Sequence, residues 1–383
     1  MLCGNNPCPL LAKINVKPKI DKQISKEYFG PSFNIFVGRY GYPNINVGPL
    51  VGIEEVKDID NPGSWFGREY SELVEMRSLV LRSKQAEHIK SRDRFVEINQ
   101  ELALASKPAD VELFFKNEPI YRTSFSDMTQ PMGPSAQLQN MILAENVKIS
   151  KKVEYVVKDE IKSAEAAGLL YEKGIDVYKI TTILSSGVMG LDRNKKMVPT
   201  RWSITGTDEI IGKKIISEIK QFDSVNEFLV YSGEYLHNRF TILIMPGSWE
   251  FENFEAWAPG SFWATQLKET EITGEYESFK GRRGYAELQG GGYYASRISV
   301  LEGLRSIRRQ GRVIVFREID EGYIIPMGVW VVRETAASAF KNPVRKFAAL
   351  KEALNYVNTK LRINVNEYVK RSRILKQRRL GDF

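Results

Sequence analysis

The side chains best suited to chemistry stand in a turn-rich stretch near the start of the chain. Residues 37–52 read VGRYGYPNINVGPLVG and bring Arg39, Tyr40 and Tyr42 together. A planar guanidinium can hold a phosphate through paired hydrogen bonds, and a tyrosine ring can stack on a base. The same tyrosines would pack on the core in an ordinary β-turn, because turn chemistry also explains this composition. The glycines and prolines predict an ordered turn that enters a strand over 44–50.

A second basic and aromatic set comprises Arg201, Trp202 and Ser203. We predict a short strand over 201–205, in which Arg201 and Ser203 share one face and can grip one phosphate. The alternative is an edge strand whose arginine pairs with a nearby acid.

Arg239 is the third cation of interest. With Arg39 and Arg201 it would form a basic pocket for DNA or a nucleotide phosphate, provided that the fold brings the three together. The chain has two histidines, which argues against His-based acid–base catalysis. His237 is nevertheless the histidine to test, since it stands beside Asn238 and Arg239.

Clustered carboxylates offer a rival function, a metal-dependent nuclease or nucleotide-processing enzyme. Such an enzyme needs acids that hold Mg²⁺ and position water. Glu250 and Glu252 share a face of a predicted strand and would meet one ion. Acids at this density are more often solvated surface, which is the interpretation we favour. The candidates are Asp127, Asp159, Glu160, Asp176, Asp208, Glu209, Glu250, Glu252 and Glu255.

The two cysteines, Cys3 and Cys8, resemble half of a zinc knuckle. Structural zinc usually takes four Cys or His ligands, and the two histidines, His88 and His237, stand in unrelated patterns. Zinc is therefore a weak expectation. A site shared by two chains, or a redox pair, would also give these cysteines a role.

Seven blocks, among them GRYGYPN (38–44), VPTRWSIT (198–205) and PGSWEFE (246–252), are spread over nearly the whole chain. In kind and order they resemble the archaeal Nre family of DNA repair proteins. The family is linked to repair of damaged DNA and to the archaeal sliding clamp (PCNA), so the resemblance implies DNA and PCNA as partners. It implies no settled catalytic mechanism. The Cys pair that commonly precedes Cys3 in the family does not fit before Met1. The blocks are GRYGYPN (38–44), GPL (48–50), PMGPS (131–135), VPTRWSIT (198–205), NRF (238–240), PGSWEFE (246–252) and GGYYA (291–295).

The basic C-terminal tail ends in QRRLGDF, which resembles the clamp-binding peptide of replication and repair proteins. One tight turn would put Leu380 and Phe383 on the same side to fill an apolar pocket, and Gln377 would hydrogen-bond at its rim. The alternative is an ordinary basic helix end.

Composition is that of a globular protein, with 43% apolar and 27% charged residues. A net charge of +8 suits a partner that bears phosphates. No apolar run is long enough to span a membrane, and no signal peptide is evident. These features predict a cytoplasmic, nucleoid-associated protein without membrane contact.

The elements that position these residues predict an α+β fold, a mixed but largely antiparallel sheet with packed helices and a helical basic tail. We divide the chain into a Cys-containing segment (1–15), a globular body of one or two lobes (16–365) and the tail (366–383). Further predictions are helices over 65–83 and from 138, a core strand over 177–184, and a hairpin of 313–317 with 323–332.

Overall fold

A computed structural model describes residues 8–54, 57–123, 130–261 and 263–376 of the chain. The chain forms two compact units, Met1–Ile211 and Gly212–Phe383. Each unit is built around its own sheet.

Unit 1 is a closed five-stranded barrel with helices. Its strands close in the order β1-β2-β3-β5-β4, and β1 pairs with β4. The β3–β5 pair is parallel and the other pairs are antiparallel. This strand order, with α3 between β3 and β4, is the topology of an OB-fold barrel. The elements are α1 (Pro9–Gln23), β1 (Glu27–Val37), β2 (Asn44–Gly52), α2 (Tyr70–Ser78), β3 (Val80–His88), α3 (Arg94–Leu104), β4 (Ala109–Phe115), β5 (Ser135–Leu143), α4 (Lys151–Lys158), α5 (Ser163–Glu172) and α6 (Val177–Ser186). The helix α7 (Thr200–Ile219) begins in unit 1 and ends in unit 2.

The barrel interior is filled by every second residue of its strands. Ile35 and Val37 of β1, Val47 of β2 and Leu81 of β3 belong to one buried apolar cluster. Successive side chains on a strand point to opposite faces, so the residues between them lie on the outside of the barrel.

Unit 2 contains a six-stranded sheet in the order β11-β6-β7-β10-β8-β9. Only the β8–β10 pair is parallel among its described ladders. The elements are β6 (Phe228–Tyr235), β7 (Asn238–Met245), β8 (Glu250–Trp257), β9 (Glu271–Glu277), α8 (Gly291–Ser306), β10 (Arg312–Ile319), α9 (Trp330–Ala339), β11 (Arg345–Phe347), α10 (Leu350–Asn358), α11 (Val365–Val369) and α12 (Arg373–Lys376).

The α+β class, with largely antiparallel sheets, is therefore confirmed, and the described part of the tail contains the short helices α11 and α12, as predicted. The strand predicted over 44–50 is β2. In the described parts of the chain, no helix combines the length and apolar character needed to cross a membrane.

Two predicted strands are wrong, because both segments are helical. Residues 177–184 lie in α6, where the Asp176 side chain accepts the N–H groups of the first turn and Gly187 ends the helix at φ +78°. Residues 201–205 lie in the first turns of α7.

Two other element predictions are wrong, and the helix predicted over 65–83 is right only for its middle part. Residues 138–143 lie in strand β5 rather than in a helix. A bulge where β4 meets β5 breaks the alternation that would have revealed this strand. Residues 65–83 contain the helix α2 and the start of β3. Residues 323–332 form no strand, so they do not make the predicted hairpin with 313–317. The strand β10, which contains 313–317, pairs instead with β7 and β8 from earlier in the chain.

Candidate nucleic-acid interface

The loop that joins β1 to β2, residues 38–43, has a fixed backbone. The N–H of Gly38 donates to the carbonyl of Asn46 at 2.7 Å, and the N–H of Asn44 donates to the carbonyl of Gly41 at 2.9 Å. Gly41 has φ +82°, and a Cβ there would lie 2.6 Å from the Asn44 carbonyl oxygen. Glycine is therefore required at this turn.

This loop displays aromatic rings and a cation to solvent. Tyr40 is 70% exposed and Tyr42 is 42% exposed, so neither ring is a core residue. The guanidinium of Arg39 lies 4.8 Å from the centre of the Tyr40 ring and donates a hydrogen bond to its hydroxyl at 3.0 Å. The Tyr42 ring meets that of Trp202, with centroids 5.2 Å apart. We call Arg39, Tyr40, Tyr42 and Trp202 the aromatic platform.

The start of α7 is tied to the same end of the barrel. The Thr200 hydroxyl oxygen accepts the N–H of Val37, the last residue of β1, at 3.0 Å. It also lies 3.2 Å from the hydroxyl of Ser185 in α6. These bonds hold the first turn of α7 beside the loop, which explains how Trp202 reaches Tyr42 from a distant part of the sequence.

The helical conformation separates the residues that we predicted to share a strand face. Residues two apart on an α-helix point about 200° away from each other. Arg201 and Trp202 are exposed, whereas Ser203 is buried and its hydroxyl donates to the carbonyl of Val198 at 3.4 Å. The physical basis for a joint phosphate grip by Arg201 and Ser203 is thus wrong, while Arg201 remains on the surface.

Arg239 and His237 lie in unit 2, where both have partners. Arg239 begins β7, and its Nε is 3.1 Å from the Glu234 carboxylate. His237 has φ +59°, and its Nδ1 is 2.8 Å from Asp320. The hydrogen bond to Asp320 raises the pKa of His237. A pocket that joins Arg239 to Arg39 and Arg201 stays a prediction.

The outer face of the barrel carries two cations that the sequence reasoning missed. Arg82 and Lys84 alternate with buried residues along β3, so both point outwards. The spacing of two residues between these cations is typical of one face of a strand. We missed it because we predicted that the helix over 65–83 extends into this segment.

The carboxylates of β8 are buried rather than solvated, which contradicts the surface interpretation for these residues. Glu255 pairs with Arg317 at 2.6 Å, and Glu250 pairs with Arg312 at 3.3 Å. No group of three or more Asp, Glu, His or Cys residues within the described ranges could hold a metal ion. Glu250 and Glu255 are therefore each paired with an arginine inside unit 2, and Asp127 lies outside the described residues.

Glu252 instead holds the described part of the tail. Its carboxylate accepts the Ser372 hydroxyl and the backbone N–H groups of Arg373, at 2.8 Å, and Ile374, at 3.4 Å. Arg312 donates to the Ile374 carbonyl at 2.6 Å. Burial raises the pKa of Glu252, although these donors oppose the shift. The described chain ends at Lys376, so Gln377, Leu380 and Phe383 lie outside it.

Cys8 is buried and its sulfur is part of a disulfide, whereas Cys3 lies outside the described residues. The thiolate is the form of cysteine that binds zinc. A zinc site at Cys3 and Cys8 stays a prediction and would require the reduced protein.

Two family profiles cover most of the chain. "Archaeal Nre, N-terminal" matches residues 2–264 and "Archaeal Nre, C-terminal" matches residues 277–383. The chain belongs to the archaeal Nre family. The predicted resemblance is thereby confirmed.

Named relatives in this Nre family align over most of their length. DNA repair protein NreB of Archaeoglobus fulgidus is 36% identical over 100% of this chain and 97% of its own. DNA repair protein NreA of the same organism is 37% identical over 92% of this chain and 90% of its own. NreA of Haloferax volcanii, also named a DNA repair protein, is 33% identical over 90% and 85%, respectively. No solved structure matches this Nre chain.

Proposed function

We propose that this Nre protein is a DNA repair factor that binds DNA or a nucleotide phosphate through the aromatic platform of its barrel. The observation that carries the proposal is the position of the platform. It occupies the β1–β2 loop, and in OB-fold barrels this loop and the neighbouring strands bind oligonucleotides. The names of the three relatives support a role in DNA repair.

The chemistry of the platform fits such a ligand. Arg39 and the exposed Arg201 can pair with phosphate oxygens, while Tyr40, Tyr42 and Trp202 offer ring faces for bases. The excess of basic residues along the chain attracts a polyanion before contact is made. Binding rather than hydrolysis is supported because the β8 carboxylates are buried and bonded inside unit 2.

The same protein, we further propose, docks on the sliding clamp PCNA through Gln377, Leu380 and Phe383. The physical support is the fixed segment in front of this peptide. Ile374 is buried, and its backbone is held by Glu252 and Arg312. A peptide that starts from a fixed point keeps the body of the protein close to the clamp, and to the DNA that the clamp encircles.

Loss of DNA binding on removal of Trp202 tests the first proposal. A fluorescently labelled oligonucleotide is titrated with the wild type, with Trp202→Ala and with Trp263→Ala, and its anisotropy is measured. Trp202 and Trp263 are 47% and 57% exposed, so the second variant controls for loss of an exposed indole. We expect weaker binding for Trp202→Ala alone. Equal affinities for all three proteins would refute the platform.

Calorimetric titration of PCNA tests the tail. The full protein should bind, and a version that ends at Lys376 should not. Equal binding by both proteins, or by neither, would refute the clamp-binding peptide.

A further inference from the structure

A group of cations lies on the outer face of the barrel, beyond the aromatic platform. Phe36 of β1, Arg82 and Lys84 of β3, and Ser135 of β5 stand at positions that alternate with the buried cluster. Lys84 donates to the Ser135 hydroxyl at 2.9 Å, and the Arg82 guanidinium lies 5.0 Å from the centre of the Phe36 ring. Arg122, from the segment between β4 and β5, is exposed nearby.

Within the described ranges, Arg82, Lys84 and Arg122 form no ion pair with a carboxylate. Arg82 donates to the sulfur of Met132 at 2.8 Å, which is a weak acceptor, and its buried Nε has no hydrogen-bond partner. Cations that are partly withdrawn from water are costly without an opposite charge. Burial and the charges of Arg82 and Arg122 accordingly lower the pKa of Lys84 to about 8. Such a cluster is complementary to an anion from outside the chain.

We propose that Arg82, Lys84 and Arg122 form a phosphate subsite that carries single-stranded nucleic acid across the barrel to the aromatic platform. This inference rests on the proposed function, since it extends the same ligand along the same face.

The geometry of β2 and β3 links the subsite to the platform. His88 of β3 pairs with Asn44, which directly follows the β1–β2 loop. Lys84 is four residues before His88, a span of about 13 Å along a strand. One OB-fold barrel engages about 4–16 nucleotides, so a single strand can reach both places.

The platform explains why the ligand is single-stranded. Tyr40, Tyr42 and Trp202 are exposed aromatic residues, and a base can stack on such a ring only if its own face is not already stacked. In a duplex the base faces are already covered by neighbouring base pairs. Cations alone would accept the phosphates of either form, whereas cations beside exposed rings favour the unpaired strand.

The salt dependence of oligonucleotide binding tests the subsite. For single strands the slope of log K against log[salt] changes by about 0.7 for each phosphate contact that is lost. We expect Lys84→Gln and Arg122→Gln each to lower the slope by about this amount and to weaken binding several-fold. Lys151→Gln, which removes an exposed lysine of α4, should change neither. Unchanged slopes in both subsite variants, or tighter binding of a duplex of the same length, would overturn the proposal.

Inorganic phosphate separates the subsite from the proposed function. At constant ionic strength, replacing chloride by phosphate should raise the thermal midpoint of the wild type, and less so that of Lys84→Gln and Arg122→Gln. Arg122 is exposed, so its variant tests the site even if Lys84→Gln folds poorly. Oligonucleotide binding that depends on Trp202 but not on Lys84 or Arg122 would refute the subsite alone. Phosphate stabilisation without any oligonucleotide binding would refute the nucleic-acid function and leave a simple anion site.

Discussion

Replacing Tyr40 by alanine isolates the energy of base stacking. Tyr40 is the most exposed aromatic residue of the platform. Within the described chain its hydroxyl accepts a hydrogen bond from Arg39. Stacking of a base on an aromatic side chain is worth about 1–3 kcal/mol, which corresponds to an affinity loss of about 5- to 150-fold. The free energy of unfolding should change by less than about 0.5 kcal/mol, because the site is on the surface.

The assay is anisotropy of a labelled single-stranded oligonucleotide, with urea denaturation as the check on folding. Tyr155→Ala is the matched control. Tyr155 is 62% exposed on α4, and Lys173 lies 5.0 Å from its ring centre, much as Arg39 lies over Tyr40. Tyr40→Phe keeps the ring and should bind nearly as the wild type does. Normal binding by Tyr40→Ala, or an equal loss of affinity in Tyr155→Ala, would refute the stacking of a base on Tyr40.

Three further predictions concern the fold. In an NMR titration the His237 imidazole should titrate above pH 6.5, and Asp320→Asn should lower its pKa. The stability that this pair adds is lost as the pH rises above 6.5 through the folded-state pKa of His237, and again in acid as Asp320, whose pKa the pair lowers, becomes protonated. Gly41→Ala should cost at least about 1 kcal/mol in urea denaturation, because alanine is strained at φ +82° and its Cβ meets a carbonyl. Glu277→Gln should cost about 3–5 kcal/mol in the same assay, since it removes the carboxylate from a fully buried ion pair with Arg297, and a loss below about 1 kcal/mol would contradict this.

Local sequence predicted the β1–β2 loop well because its chemistry is local. Glycine at a positive φ and proline at a fixed φ determine the turn without help from distant residues. The exposed loop and the strand that follows it, β2, are the parts of the site that were readable in this way. The contact between the Tyr42 and Trp202 rings could not be predicted from local sequence, because it depends on the hydrogen bond between Thr200 and Val37.

The errors have physical causes of two kinds. At residues 177–184 the run of β-branched side chains suggested a strand, although Asp176 and Gly187 are the start and stop signals of a helix. The interpretation of the β8 acids as solvated surface was wrong for another reason. Sequence separations of 62 and 120 divide Glu255 from Arg317 and Glu252 from Ser372, so no local pattern could reveal these buried partnerships.

The hydrogen bonds from the tail to Glu252 also limit how far the last residues of the chain can reach. Phe383 is seven residues beyond Lys376, and a fully extended chain of seven residues spans about 25 Å. A clamp bound at Phe383 would therefore stay within about that radius of the point where the segment leaves unit 2. Within so small a radius the effective concentration of unit 2 near the clamp would be high. Even a weak contact of the peptide would then keep the protein bound to the clamp. Glycines inserted after Lys376 would lower this effective concentration without changing any contact.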